Sequence, residues 1–254
     1  MHSGIKSRDT GYGPWIEFCT RAPAPKLRLF CFHHAGGSAL VFRDWHKHVP
    51  NTIEICPVEL PGRGRRRGES LSGSLLELSA AAANGIQPLL KIPFAFFGYS
   101  MGAAVAFETA RRLQTIGTGP RALVVAAAGP PHRRQRKTEY WKLPREALIE
   151  KLRSLNSTPE QILGNPELID YFLAIVRADF KVLETSRTES GAKIGCPIVA
   201  LAGSDDADGS REEMLAWCDM TTGPFSFSTI PGDHSFVLRK APAVIDHIRA
   251  RLAA

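Results

Sequence analysis

Apolar positions in this chain fall into two rhythms. Short apolar-rich runs of strand length recur at Leu27–Phe32, Ile53–Val58, 94–97, 122–128, 197–202 and Phe225–Ile230. The run at 122–128 is continuous, and unbroken apolar character marks a strand covered on both faces. Between them lie longer stretches with helical character at 41–49, 71–90, 103–116, 211–217 and 242–252. Strands alternating with helices predict an α/β protein with a mostly parallel sheet flanked by helices.

The alternation breaks once. Gly129-Pro130-Pro131 is a strong stop, and residues 132 to 190 contain no convincing strand. A short helix is expected from Leu143-Pro144-Arg145-Glu146 through Leu155. Further helix starts stand at Thr158-Pro159 and Asn165-Pro166, where proline suits a first turn. Leu168, Phe172, Ile175, Val176, Phe180 and Leu183 recur at helical spacing and give the last of these helices an apolar face. A helical excursion between two core strands predicts a lid over the sheet at about 131–192. The domain reading is therefore an N-terminal extension over 1–26, partly flexible, then one α/β domain over 27–254 carrying that insertion.

Composition changes this picture little. The chain has 254 residues, 44% hydrophobic and 22% charged, enough for one large core. No apolar run reaches the roughly 20 residues of a membrane span. Residues 1–13 lack an apolar signal core, so a cytoplasmic protein is expected. Five cysteines without a C-x-x-C pair suggest neither a disulfide framework nor a zinc site. Two clusters contribute to the net charge of +7, Arg63 to Arg67 and Arg133 to Lys137, either solvated faces or docking sites for an acidic partner. Aromatic interleaving is missing from both, which argues against nucleic acid.

Candidate chemistry centres on Gly98-Tyr99-Ser100-Met101-Gly102. This G-x-S-x-G lies between a predicted strand and a predicted helix, the setting of a nucleophile elbow. The turn must lift the Ser100 hydroxyl above the sheet, and side chains at 98 and 102 would collide there. The following helix aims its first N–H groups, that of Met101 included, at charge developing near Ser100. His33 to Ser38, with two glycines after the first strand, is where such enzymes supply a second oxyanion donor. Sites in open parallel sheets form at the C-terminal ends of strands. Ser100, the pair Asp205-Asp206 and His234 each follow a strand, in the order expected of α/β hydrolases. Asp206 is preferred as the acid, with Asp205 in reserve. His234 is the one histidine on a loop after the last strand.

Phe32-His33-His34-Ala35-Gly36-Gly37-Ser38, then F-R-D-W, E-L-P-G-R, G-Y-S-M-G, G-S-D-D and P-G-D-H together resemble the type II thioesterases over about 27–252. These are stand-alone editing enzymes of polyketide and nonribosomal peptide synthesis. The resemblance implies an α/β-hydrolase fold with a helical lid. It implies hydrolysis of acyl groups held as thioesters on the phosphopantetheine arm of an acyl or peptidyl carrier protein. It assigns Ser100 as nucleophile, His234 as base, Asp206 as its orienting acid, and the N–H groups of Ala35 and Met101 as the oxyanion hole. His34, Gly36, Tyr99 and Phe236 are the expected substrate contacts. No metal or cofactor is called for, and neither nucleic acid nor membrane is an expected partner; a monomer is expected. The alternative is an esterase or acyltransferase with the same triad. His33, Ala207 and Ser235 depart from the family's usual residues and bear on acyl preference rather than on the triad.

Overall fold

A computed structural model describes residues 12–19, 24–133, 139–186, 188–189 and 191–252. Six parallel strands form one sheet in the order β2-β1-β3-β4-β5-β6. They are β1 (Leu27–Phe32), β2 (Ile53–Val58), β3 (Phe94–Tyr99), β4 (Leu123–Ala126), β5 (Ile198–Gly203) and β6 (Phe225–Ile230). β3, β4 and β5 are buried along their whole length. That explains their continuous apolar sequence, because both pleat faces meet packed layers.

Strand alternation divides the core in two. On one face Phe30, Phe32 and Phe96 meet helices α1 (Leu75–Ile86) and α2 (Met101–Thr115). On the other, Leu29, Phe97 and Tyr99 meet Phe42, Trp45 and the C-terminal helices α7 (Phe236–Arg239) and α8 (Ala241–Leu252). Edge-on aromatic pairs fill both layers, with Phe32–Phe96 centroids 5.3 Å apart and Phe42–Trp45 4.9 Å apart. β6 is a half-buried edge. The opposite edge, β2, is partly covered by the segment 12–19, which forms an antiparallel bridge from Ile16 to Val58. Trp15 of that segment fills the space a side chain at Gly85 would need, and carries the Arg66 guanidinium 3.8 Å above its ring.

Local sequence explains the departures from expectation. The helix expected at 71–90 spans only Leu75–Ile86. Ser74 caps its start by accepting from the Glu77 N–H, and Pro88 supplies no N–H to continue it, leaving a 3-10 turn at Gln87–Leu89. The helix expected at 41–49 is two 3-10 turns, Ala39–Phe42 and Trp45–His48, which serve to bury Phe42 and Trp45. The helix expected at 211–217 is α6 (Arg211–Leu215) followed by a 3-10 turn, Ala216–Met220.

Between β4 and β5 the chain forms α3 (Arg145–Leu155), α4 (Glu160–Leu163) and α5 (Ile169–Thr185), which enclose a small core of their own. The expected apolar face of α5 holds for Ile175, Val176 and Phe180, with Phe172 and Leu183 half-buried, but Leu168 is exposed and Ile169 and Leu173 also face inward. Among the described residues, no helix is long and apolar enough to cross a membrane.

The tightest point in the fold is where α2 leaves β3. A Cβ at Gly102 would overlap the Phe32 carbonyl, and one at Gly98 would come within 2.5 Å of the Ala103 Cα. Backbone cannot step aside there as a flexible side chain could. Gly102→Ala should therefore cost about 3 kcal/mol or more, lowering Tm by roughly 6–12 °C in a calorimetric or fluorescence melt.

Candidate active site

Ser100 occupies the turn between β3 and α2 with φ 54° and ψ −111°. A non-glycine residue there is strained by about 1–3 kcal/mol, held in place by the packing on either side. The strain points the hydroxyl away from the sheet and toward His234. Nε2 of His234 lies 3.1 Å from Ser100 Oγ, and its Nδ1 lies 3.1 and 3.0 Å from the two carboxylate oxygens of Asp206. With Nδ1–H donating to the carboxylate, Nε2 is left to accept the serine proton.

The loop after β5 carries Asp206. One oxygen also accepts the N–H groups of Asp208 (2.9 Å) and Gly209 (3.0 Å), so the carboxylate is held from behind. Gly209 is required because a Cβ there would press on the Ala127 backbone and the Asp206 carboxylate. Asp205 is exposed and accepts from the Ser204 hydroxyl instead. Of the two candidate acids, then, Asp206 is the one brought to the imidazole. The loop after β6 carries His234 and is laced to the β5 loop, since Asp205 N–H donates to Gly232 O and Gly232 N–H to Ser204 Oγ.

Two backbone donors stand on elements next to the serine. Met101 N–H opens α2. Ala35 N–H lies in the turn after β1, between the His33–His34 pair and Gly36, whose own N–H is taken by Asp179 at 2.8 Å. Among the described residues, no hydrogen bond engages the N–H of Ala35 or Met101.

The cavity beside Ser100 and His234 is lined by Ala127, Ala128, Leu155, Phe180 and Leu183, with a Lys151–Asp208 ion pair at 2.6 Å on its wall. Three of these apolar residues come from α3 and α5. The four expected substrate contacts do not line it. Tyr99 is fully buried and donates its hydroxyl to the His234 carbonyl at 2.9 Å. Burial pushes that phenol well above its ordinary pKa, so it remains a donor. Phe236 lies in the core beneath the site. Gly36 (φ 73°) packs directly under Val176 and Phe172. The His34 ring sits 4.9 Å from that of Tyr99, and burial followed by repulsion from His234 lowers its pKa to about 3. These residues frame the site. The cavity walls come instead from the helical insertion and from Ala127, which follows β4 with φ 60°.

The arginine cluster at 63–67 is only partly exposed. Arg63 is buried in a bidentate pair with Asp179 (2.6 and 2.7 Å). Arg66 is buried against Trp15 and paired with Glu69. Only Arg65 and Arg67 face solvent. Of the second cluster, residues 134–137 lie outside the described residues. Among the described residues, one group of donors lies close enough to hold a metal, namely Cys19, Glu54 and Cys56, with donor atoms within 4.8 Å of one another. Arg28 already pairs with Glu54 there at 2.7 Å, so a cation would meet a competing charge. All five cysteines are free.

A parallel sheet that presents serine, aspartate and histidine, in that chain order, on the loops at its C-terminal edge defines an α/β hydrolase. The thioesterase domain model matches residues 27–252. The chain is 38% identical over 239 residues to the gramicidin S biosynthesis protein GrsT of Aneurinibacillus migulanus, covering 94% of this chain and 93% of that one. It is 35% identical to thioesterase PikA5 of Streptomyces venezuelae, over 89% of this chain and 80% of that one. Among solved structures, the type II thioesterase BorB of the borrelidin biosynthetic cluster superposes with TM-score 0.83 at 33% identity, covering 92% and 97% of the two chains. The chain belongs to the thioesterase domain family and is a hydrolase of thioesters.

Beneath the turn after β1 lies a buried pair whose charges are suppressed. Burial lowers the His33 pKa well below its ordinary value and raises that of Glu59 to about 7. Nε2 of His33 stands 3.8 Å from Glu59 Oε1. The folded chain thus holds the Glu59 proton to about pH 7, against an ordinary 4.5. Between those values it binds more protons than the unfolded chain, so raising the pH through this window removes stability. His34 acts oppositely, and its contribution is lost as pH falls from 6.5 toward about 3. In Glu59→Gln the first effect disappears. Melts should show the variant gaining on the wild type between pH 5 and pH 8, by about 1–3 kcal/mol; a gap independent of pH would contradict this.

Proposed function

We propose that this protein is a type II thioesterase, in which Ser100, His234 and Asp206 hydrolyse acyl groups from the phosphopantetheine arm of acyl or peptidyl carrier proteins. The observation that carries the reading is the continuous hydrogen-bonded series from Ser100 through His234 to Asp206 beneath a helical insertion. The names of its relatives supply the pathway class, since GrsT is a gramicidin S biosynthesis protein and BorB a type II thioesterase of borrelidin biosynthesis.

His234 Nε2 takes the Ser100 proton as Oγ attacks the thioester carbonyl carbon. The oxyanion of the tetrahedral intermediate is held by the N–H groups of Ala35 and Met101, each contributing roughly 3–4 kcal/mol to barrier lowering. As the intermediate collapses, the C–S bond breaks and the imidazolium proton passes to the departing pantetheine thiolate. Water then attacks the acyl-serine ester with His234 again as base, releasing the free acid and restoring the hydroxyl. Asp206 holds the imidazole in the productive tautomer and stabilises its charged form. The reaction draws on side chains and backbone alone.

The acyl group enters the cavity between Ala127, Leu155, Phe180 and Leu183. The carrier protein, which is acidic in this reading, meets the solvent-facing arginines 65 and 67. A cytoplasmic setting fits five free thiols, and the protein acts as a monomer in this reading. An oxoester hydrolase or acyltransferase would share the triad, and matched thioester and oxoester substrates, with and without an acceptor alcohol, separate the three.

Two substitutions test the assignment. Ser100→Ala should lower hydrolysis of an acyl-pantetheine thioester by at least about a thousandfold and abolish labelling by a fluorophosphonate. Asp206→Asn should lower kcat by roughly ten-thousandfold while leaving the fold intact, because it favours the wrong imidazole tautomer. Retained turnover in the serine variant would reject the mechanism.

A further inference from the structure

The helical insertion touches each of the three loops that carry a proposed functional group. Lys151 of α3 donates to Asp208, two residues beyond Asp206, at 2.6 Å. Asn156, the left-handed cap of α3, donates to Asp233, beside His234, at 2.9 Å. Asp179 of α5 accepts from Gly36 N–H, next to Ala35, and from Arg63. These contacts differ in weight. The side chains of Lys151 and Asp208 are 16% and 24% exposed, and the Asn156 contact is exposed, so water screens and replaces both. Those of Arg63 and Asp179 are 6% and 5% exposed. A charge orphaned at that depth is costly, so the geometry around it is strongly held.

We infer that Asp179 is a positioning residue for the oxyanion hole. It fixes the Gly36 N–H while Arg63 balances its charge, and so it sets the turn that aims the Ala35 N–H at the developing oxyanion. Gly36 suits this role for two reasons. Its φ of 73° is one that glycine adopts without strain, and a Cβ would collide with Val176 and Phe172 of the same helix. The turn therefore takes its shape from α5. Movement of α5 away from the core, as entry of a substrate arm beneath the helices would require, breaks the Gly36–Asp179 bond and leaves the hole unformed until the helix returns. Completion of the hole and closure over the acyl group become one event. The inference rests on the hydrolytic reading above and adds the residue that couples the insertion to the chemistry.

Asp179→Ala, Asp179→Asn, the double variant Arg63→Gln with Asp179→Asn, and Arg145→Ala as control are compared on an acyl-pantetheine thioester. Arg145 pairs with Asp170 on the exposed side of the same helices at 3.2 Å. Three quantities are read: kcat and KM, the affinity of a trifluoromethyl ketone analogue whose adduct oxygen needs the hole, and the number of serines titrated by a fluorophosphonate. Asp179→Ala should lower kcat about ten- to a hundredfold with little change in KM. Affinity for the ketone should fall by the same factor, with the full complement of serines still titrated. Asp179→Asn keeps an acceptor for Gly36 but orphans the guanidinium, and removing that charge in the double variant should recover part of the loss. Arg145→Ala should match the wild type. The inference is overturned by wild-type kcat in folded Asp179→Ala, by a loss confined to KM, by a loss explained by fewer titratable serines, or by an equal loss in the control. Should Asp179→Ala not fold, Asp179→Asn decides on the same criteria. Failure of the wild type itself to hydrolyse the thioester or to take the label would instead strike the proposed function.

Discussion

Backbone against backbone at one crossing sets the rest of the structure. The first turn of α2 passes so close to the end of β1 that no side chain fits at position 102, and so close to β3 that none fits at 98. That proximity is what pins Ser100 at φ 54°. A serine on a relaxed turn would let its hydroxyl swing back toward the helix. Here the packed layers on both faces, built from Phe32, Phe96, Phe97 and Tyr99, supply the energy that keeps the strained conformation occupied. The same crossing brings the turn after β1 over the start of α2. Ala35, in that turn, and Met101, at the start of α2, are the two backbone donors of the proposed oxyanion hole.

Around that point the protein suppresses stray charge. His33 and His34 are kept neutral chiefly by burial, and Glu59 holds its proton to about pH 7. The charges that remain are compensated. Asp206 receives two backbone N–H groups besides the imidazole, and Asp179 is matched by both prongs of Arg63. In a low-dielectric site an uncompensated charge would compete with the oxyanion for stabilisation. In the proposed mechanism, neutral histidines beside the turn after β1 leave the transition-state charge to the two backbone donors.

Most of the fold, and the triad, could be read from the residue pattern because the signals are local. Apolar runs of strand length, glycines at a turn and a carboxylate after a strand each declare themselves within a few residues. Preference for Asp206 over Asp205 followed from spacing, and the coordinates bring that residue to the imidazole. What escaped was whatever depends on which face a residue turns inward. Arg63 and Arg66 read as a charged surface, yet both are buried, because their partners Asp179 and Trp15 lie far away in sequence. Tyr99 and Phe236 flank the motifs but point into the core, where alternation along β3 and the register of α7 send them. One signal for Asp179 was present. It stands three residues after Val176 and four before Leu183, so it interrupts an apolar helical stripe where solvation is not available. A carboxylate in that position demands a buried partner, although sequence alone does not say which.

The helices over the site divide their labour by position along the chain. Leu155, Phe180 and Leu183 furnish apolar cavity wall, Asn156 and Asp179 reach two of the loops, and Lys151 does both. Asp179 and Phe180 are adjacent, about 100° apart around α5, so one turns to the oxyanion loop while its neighbour turns to the acyl group. Wall residues can therefore be exchanged to suit a different acyl group without disturbing the polar contacts that seat the helices. Exchange of a polar contact does the reverse, altering every substrate alike.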